Sequence, residues 1–198
     1  MQLRINLLLV SISLFFNSIA QQQTQLQVPG RAKYTQIEIN GLSVLPSGRY
    51  VQPAGQITRI THDPFGLTIS PNGKIAVTLH NGVITILYLD NGKVVRVPDY
   101  EKKIPSPFTN GSLLGASFYK DSRVVFLSGG DNGTVIAYDC INLKVVNTYS
   151  LDGKFDGVDY LHSFTSDLIY NEKNNELLVL DQANYRFCLL YTSDAADE

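Results

Sequence analysis

Leu67-Thr68-Ile69-Ser70-Pro71-Asn72-Gly73-Lys74 is a short apolar and β-branched run that closes on a tight-turn cluster. Asn-Gly tolerates positive φ, so Pro71-Asn72-Gly73 marks a hairpin turn and the run before it a strand. Two later segments align with it by turn chemistry: Ala116-Ser117-Phe118-Tyr119-Lys120-Asp121-Ser122-Arg123 and Asp167-Leu168-Ile169-Tyr170-Asn171-Glu172-Lys173-Asn174-Asn175. Their anchors, Ser70, Phe118 and Tyr170, stand 48 and then 52 residues apart.

Each unit holds several runs of Val, Ile, Leu, Thr, Tyr and Phe between Gly, Asn, Asp and Pro clusters, and helical periodicity is nearly absent. The chain therefore reads as all-β. The first unit predicts strands near Leu67 to Ser70, Ile75 to Leu79, Val83 to Leu89 and Val94 to Val97. The second predicts Gly115 to Phe118, Val124 to Ser128, Thr134 to Asp139 and Val145 to Ser150. The third predicts Asp167 to Tyr170 and Glu176 to Leu180 and breaks off around Tyr185. A period of roughly 40 to 50 residues with four strands per unit is the signature of a β-propeller blade. Three blades are expected, near 64–98, 113–150 and 164–187. Upstream, Gln56-Ile57-Thr58-Arg59-Ile60 predicts a lone outer strand that would complete the last blade of a ring and remove an exposed edge.

The amino terminus has a different character. Arg4 precedes an apolar run from Leu7 to Phe16, and small residues at Ser18 and Ala20 suit cleavage before Gln21. Residues 1–20 read as a signal peptide, too short to span a bilayer, which predicts an exported product, periplasmic or extracellular, with no stable membrane insertion. Residues 21–43 form a lead-in, and 44–187 the partial propeller. The formal net charge is −2, and no block of like charges occurs, so nucleic acid is not an expected partner. Cys140 and Cys188 are one pair only, and no structural disulfide is expected.

Pro64-Phe65-Gly66-Leu67-Thr68-Ile69-Ser70-Pro71-Asn72-Gly73-Lys74, followed by Ala76-Val77-Thr78 and Val83-Ile84-Thr85-Ile86, resembles the YVTN repeat of lactonase-like propellers. Leu45-Pro46-Ser47-Gly48-Arg49, Pro53-Ala54-Gly55, Leu114-Gly115-Ala116-Ser117-Phe118 and Leu127-Ser128-Gly129-Gly130-Asp131-Asn132-Gly133-Thr134 resemble more closely one particular group. That group is the amino-terminal propeller of exported bacterial proteins that carry an alkaline-phosphatase-like or phosphoesterase domain after it. The resemblance runs from about Val44 to Phe187. It implies a seven-bladed ring, of which about three blades are present, and a downstream phosphoesterase domain in the same full-length chain as the partner. Tyr119-Lys120-Asp121 and Asn171-Glu172-Lys173 depart from the usual Ser-Pro-Asp of the repeat. The tail, 188–198, resembles a translated sequencing-adapter artefact, which marks the chain as a fragment.

No phosphate-cradling Gly-Lys-Ser/Thr loop, paired zinc histidines, Cys-x-x-Cys or Gly-x-Ser-x-Gly turn occurs, and no catalytic residue is assigned. Propeller geometry places the turns between second and third strands, together with the blade-to-blade connections, on one face, where propellers usually bind ligands. On it fall His62, Asp63, His80, Asn81, Asp131, Asn132, Asp159, His162, Asp181, Gln182 and Asn184. These side chains fit either a cation or anionic-ligand site near the channel or ordinary solvated turns. No cofactor is assignable, and a divalent metal belongs only to the possibilities of the full-length protein. Phe65, Leu114 and the run Tyr185-Arg186-Phe187 fit either recognition aromatics or core packing against neighbouring blades, and core packing is the expected reading. Asn110-Gly111-Ser112 and Asn132-Gly133-Thr134 match the glycosylation sequon but read as plain turns.

Three functions remain open on these residues: a non-catalytic scaffold or substrate-recruiting module of an exported phosphoesterase-type protein, a lactonase-like hydrolase with its site on the ligand face, and an extracytoplasmic binding protein.

Overall fold

Runs of β-branched and aromatic residues punctuated by Asn-Gly and Asp-Gly turns leave the backbone one economical way to satisfy its polar groups, the antiparallel hairpin. The computed structural model describes residues 27–38, 41–108 and 115–191, which form strands and turns and no helix. The expected signal peptide, the Asn110 sequon, Leu114 and residues 192–198 of the tail lie outside the described residues. The chain divides into two compact units, one ending at Ile57 and the other beginning at Thr58.

The first unit is built on one small hairpin. β1 (Ser43–Val44) pairs antiparallel with β2 (Tyr50–Val51), and the connecting turn places Gly48 at φ 71°. A Cβ on Gly48 would approach Val28 Cγ2 to 2.7 Å, so the turn needs glycine for both conformation and space. Val44 is buried, and the Gly30 amide donates to the Gly48 carbonyl at 2.8 Å.

The second unit carries the repeats. β3 (Gly66–Ile69), β4 (Ile75–His80), β5 (Val83–Tyr88) and β6 (Lys93–Val97) form one antiparallel sheet in that order. β7 (Ala116–Phe118), β8 (Val124–Ser128), β9 (Thr134–Asp139) and β10 (Lys144–Ser150) repeat the meander. β11 (Gly153–Phe155) and β12 (Val158–Tyr160) make a separate hairpin, and β13 (Thr165–Asn171), β14 (Glu176–Asp181) and β15 (Arg186–Tyr191) a third sheet of three strands.

The first turns of the first and second sheets show why their two segments align. Asn72 Oδ1 accepts from the Lys74 amide at 3.0 Å, and Asp121 Oδ1 accepts from the amides of Arg123 and Val124 at 2.8 and 2.9 Å. A side-chain acceptor captures the backbone in both turns, so Asp121 does the work of Asn72 although the surrounding letters differ.

Period-two alternation then sorts the middle strands of the second sheet between two cores. Val125 and Leu127 of β8, with Ile136 and Tyr138 of β9, join Val77, Leu79, Ile84 and Ile86 in a cluster between the first and second sheets. Phe126, Val135 and Ala137 face the other way and meet Leu168, Leu177 and Val179 of the third sheet. Full burial of a side chain such as Leu127 contributes about 2 kcal/mol. At Gly115 the sheets approach closely: a Cβ there would come within 2.9 Å of Asp167 Cα.

Three expectations change. Gln56 to Ile60 is not a strand, because a strand needs a hydrogen-bonded neighbour and none stands beside it among the described residues. Phe65, Tyr185 and Phe187 are not packed in a core: they are 53%, 96% and 65% exposed, on faces with no sheet against them among the described residues. Strand pairing also runs on past Phe187. Cys188↔Val179, Leu189↔Leu178, Leu190↔Leu177 and Tyr191↔Glu176 continue the ladder, because Cys188-Leu189-Leu190-Tyr191 is an apolar run in register with β14. The β11–β12 hairpin has no counterpart in the predicted strands. Cys140 and Cys188 are free thiols on different clusters.

Candidate functional site

The turns from second to third strand and the inter-sheet connections fall together on one side of the second unit, and that side separates the eleven candidate residues into buried, half-buried and exposed sets.

His80, at the end of β4, is buried. Its Nδ1 lies 2.7 Å from the carbonyl oxygen of His62, which can only accept, so Nδ1 donates. Nε2 then lies 2.8 Å from Thr78 Oγ1 and 3.2 Å from Thr85 Oγ1, and Thr85 Oγ1 is 2.9 Å from Thr61 Oγ1. Every polar atom of the ring is used internally, and the ring ties the entry segment at Thr61 and His62 to the first sheet. His62 and Asp63 are exposed and bond to each other at 2.9 Å. Asn81, Asp131, Asp159, His162 and Gln182 are exposed, and Asn132 is half-buried. The three histidines do not converge. Among the described residues no group of three His, Cys, Asp or Glu side chains is arranged to hold a metal ion.

Asp181 and Asn184 do come together, around a residue the sequence assigned to packing. Asp181 is buried and accepts from Arg186 Nε at 2.9 Å, Asn184 Nδ2 at 2.9 Å and the Phe164 amide at 3.1 Å. Burial works to raise its pKa, but the bonds from Arg186, Asn184, Phe164 and Ser163 outweigh burial and the net displacement is downward, towards the charged form. Arg186 Nη2 donates to the Leu151 carbonyl at 2.6 Å, and Asn184 Nδ2 to Ser163 Oγ at 3.2 Å. The guanidinium lies over the Tyr160 ring, 3.6 Å from its centroid, and 5.5 Å from that of Phe155.

The hairpin that carries those rings follows from its turn. Asp156 and Gly157 take φ of 50° and 82°, the left-handed pair that a two-residue hairpin demands, and the register Gly153↔Tyr160, Lys154↔Asp159, Phe155↔Val158 follows. Phe155, Val158 and Tyr160 therefore share the side facing Arg186, whereas Asp159 points from the opposite side. The Asp156-Gly157 pair between Phe155 and Val158 is the signal by which this hairpin can be read from sequence. Around it Leu161, Val158 and Tyr185 are exposed, so the face presents apolar and aromatic surface over a closed ionic clasp.

No family model matches the chain, and no curated protein does. Among solved structures, the β-propeller domain of Myceliophteria thermophila Cps50 (Swd1) superposes with a TM-score of 0.50 at 11% identity, covering 70% of this chain and 38% of that one. The fold is an incomplete β-propeller. A structure described as U3-55K gives a TM-score of 0.47 at 13% identity over 67% of this chain and 41% of that one. The RRP9 WD40 repeats give 0.47 at 12% identity over 69% and 41%. The chain thus spans about two fifths of the length of these solved propellers.

Proposed function

We propose that this propeller is a non-catalytic interaction module of an exported protein, serving as scaffold or substrate-recruiting domain for a phosphoesterase-type domain in the same full-length chain. The observation that carries the interaction reading is the disposition of the loop face. Its central charged groups, Asp181 and Arg186, are bound to each other and to backbone, its buried imidazole is fully bonded, and beside exposed polar turn residues such as Asp131 and Gln182 it exposes Leu161, Val158, Phe155 and Tyr185. Apolar and aromatic residues over rigid polar supports are the composition of a binding surface rather than of a nucleophile poised beside a base. The phosphoesterase context and the export rest on the motif likeness and on the character of residues 1–20. A divalent metal, where the full-length protein uses one, is placed by this reading in the partner domain.

Three measurements test it. The purified chain is expected to hydrolyse neither p-nitrophenyl phosphate nor a homoserine lactone, and lactone turnover would replace the scaffold by the lactonase-like hydrolase. Residues 1–20 fused to a reporter enzyme active only outside the cytoplasm are expected to yield activity. The source DNA read beyond the codon for Tyr191 is expected to encode further blades and then a phosphoesterase domain, and a reading frame without one overturns the context.

A further inference from the structure

Alternation along β6 sends Val95 and Val97 into the cluster shared with the second sheet and leaves Arg96 on the opposite face, in register with Thr85. Thr85 is 1% exposed there, because the entry segment covers it: Thr61 Oγ1 lies 2.9 Å from Thr85 Oγ1. Arg59, two residues before Thr61, is thereby brought to the same cleft as Arg96. Beyond Val97 the chain turns back on itself. The Asp99 amide donates to the Ile104 carbonyl at 2.9 Å and the Ile104 amide to the Asp99 carbonyl at 2.8 Å. Lys102 closes this turn from inside, its amide donating to Asp99 Oδ1 at 3.1 Å and its ammonium pairing with Asp99 Oδ2.

Entry segment, outer strand and turn border a cleft of about 530 Å³ lined by Arg59, Arg96, Pro98, Tyr100 and Glu101. All of it lies between Arg59 and Lys102, within the second unit, and a chain that continues past the third sheet leaves both walls in place. Asp99 and Lys102 satisfy each other. Arg123 and Arg186 are likewise held, each by a buried carboxylate. Arg59 and Arg96 are different: both are exposed, and neither has an ion pair or side-chain hydrogen bond among the described residues. Glu101 is the one acid in the lining that no cation engages.

Two free guanidinium forks at one cleft match an oxyanion with two charges, and the terminal oxygens of a phosphate monoester accept from both forks at once. Tyr100, 85% exposed, adds a ring for an organic group to lie against and a hydroxyl that can donate. We propose that the cleft between Arg59, Arg96 and Tyr100 binds the phosphate group of an organic phosphate monoester.

The probes are phenyl phosphate, phenyl sulfate and inorganic phosphate, each titrated into the purified chain by isothermal calorimetry. Phenyl phosphate is expected to bind, and more weakly as sodium chloride is added, since the cleft is open to solvent. Arg59→Gln and Arg96→Gln are each expected to weaken it about fivefold, and the double variant to abolish it. The urea midpoint stays unchanged in both, because the side chains are exposed and unbonded. Glu101→Gln removes the opposing charge and is expected to strengthen binding about twofold. Tyr100→Ala is expected to weaken phenyl phosphate about threefold and leave inorganic phosphate unaffected. Absence of phenyl phosphate binding overturns the site, as does an equal loss in Lys154→Gln, which removes an exposed cation elsewhere. Phenyl sulfate bound as tightly overturns the dianion, and inorganic phosphate bound as tightly overturns the ester in favour of the free ion. The hydrolysis, export and source-DNA outcomes do not depend on Arg59, Arg96 or Tyr100, so failure of this site is separable from failure of the interaction role.

Discussion

Arg186 lies with its guanidinium 3.6 Å from the ring centroid of Tyr160, and the same group holds the buried Asp181 at 2.9 Å. One side chain thus fastens the β11–β12 hairpin to the third sheet by stacking, by the ion pair and by donation to the Leu151 carbonyl. Arg186→Ala leaves Asp181 buried without its cation, and the expected loss is about 3 kcal/mol in urea unfolding. Arg186→Lys keeps the charge but cannot stack and reach two acceptors together, so an intermediate loss is expected. Proteolysis at Asp156-Gly157 should accelerate in both variants. Equal cleavage in all three proteins would show that the hairpin is held by something else.

Asp139 occupies a comparable setting at the end of β9. It is buried, accepts from Arg123 Nε and Nη2 at 2.9 and 2.6 Å, and caps the amides of Ile141 and Asn142. Burial raises its pKa, but these bonds prevail and hold the carboxyl at about 2. A carboxyl depressed in the folded state contributes stability that is complete above its unfolded pKa of about 4 and disappears as pH falls towards 2. Arg123 is half exposed and partly screened, so about 1 to 2 kcal/mol is expected from this group. Unfolding free energy measured from pH 5 to pH 2 should therefore fall less steeply in Asp139→Asn than in the parent chain. Parallel curves would assign the acid sensitivity to other carboxyls, Asp181 first.

Much of this fold was legible because turn residues and strand alternation are local signals. Asn72-Gly73 located the first turn, and the predicted strands of the first two blades match β3 to β10 to within about two residues. What escaped was decided by neighbours. Gln56 to Ile60 has strand composition but no described partner, and Tyr185 and Phe187 are apolar yet exposed, because composition does not say whether a sheet stands opposite. On the loop face Asp181 and Asn184 were found as polar turn residues, but Arg186 was not, since its role depends on Leu151 and Tyr160, 35 and 26 positions away. His80 was grouped with exposed histidines because a sequence cannot show that Thr61, Thr78 and Thr85 close around it.

That closure separates His80 from His62 and His162 experimentally. His80→Ala removes a buried ring and its bonds to Thr78 and Thr85 and strands the His62 carbonyl, while Thr85 keeps its bond to Thr61, so a loss of about 2 to 3 kcal/mol is expected. His62→Ala and His162→Ala alter exposed side chains and should stay within about 0.5 kcal/mol of the parent chain. Chemical denaturation of the three variants decides the matter. A His80 variant as stable as the other two would show that the threonine network does not hold the first sheet to its entry segment.

Tyr138 offers a test with the opposite sign. Its ring lies in the cluster between the first two sheets, and its hydroxyl is buried with no hydrogen-bond partner among the described residues. Burial raises its pKa, with Cys140, Tyr88 and Asp139 adding to the displacement, so the phenol stays neutral and contributes no charge pairing. A hydroxyl taken out of water and left unbonded costs about 1 to 3 kcal/mol, whereas the ring itself packs well. Tyr138→Phe removes the unbonded oxygen and keeps the ring, so the variant is expected to be more stable than the parent chain by about 1 kcal/mol. Tyr88→Phe, the matched control, deletes a hydroxyl that donates to the Cys140 carbonyl at 2.6 Å and should destabilise by a similar amount. Urea unfolding of the pair gives the answer directly: a Tyr138→Phe variant less stable than its parent would mean that the hydroxyl is bonded in solution, by a water or by a segment of chain outside the described residues.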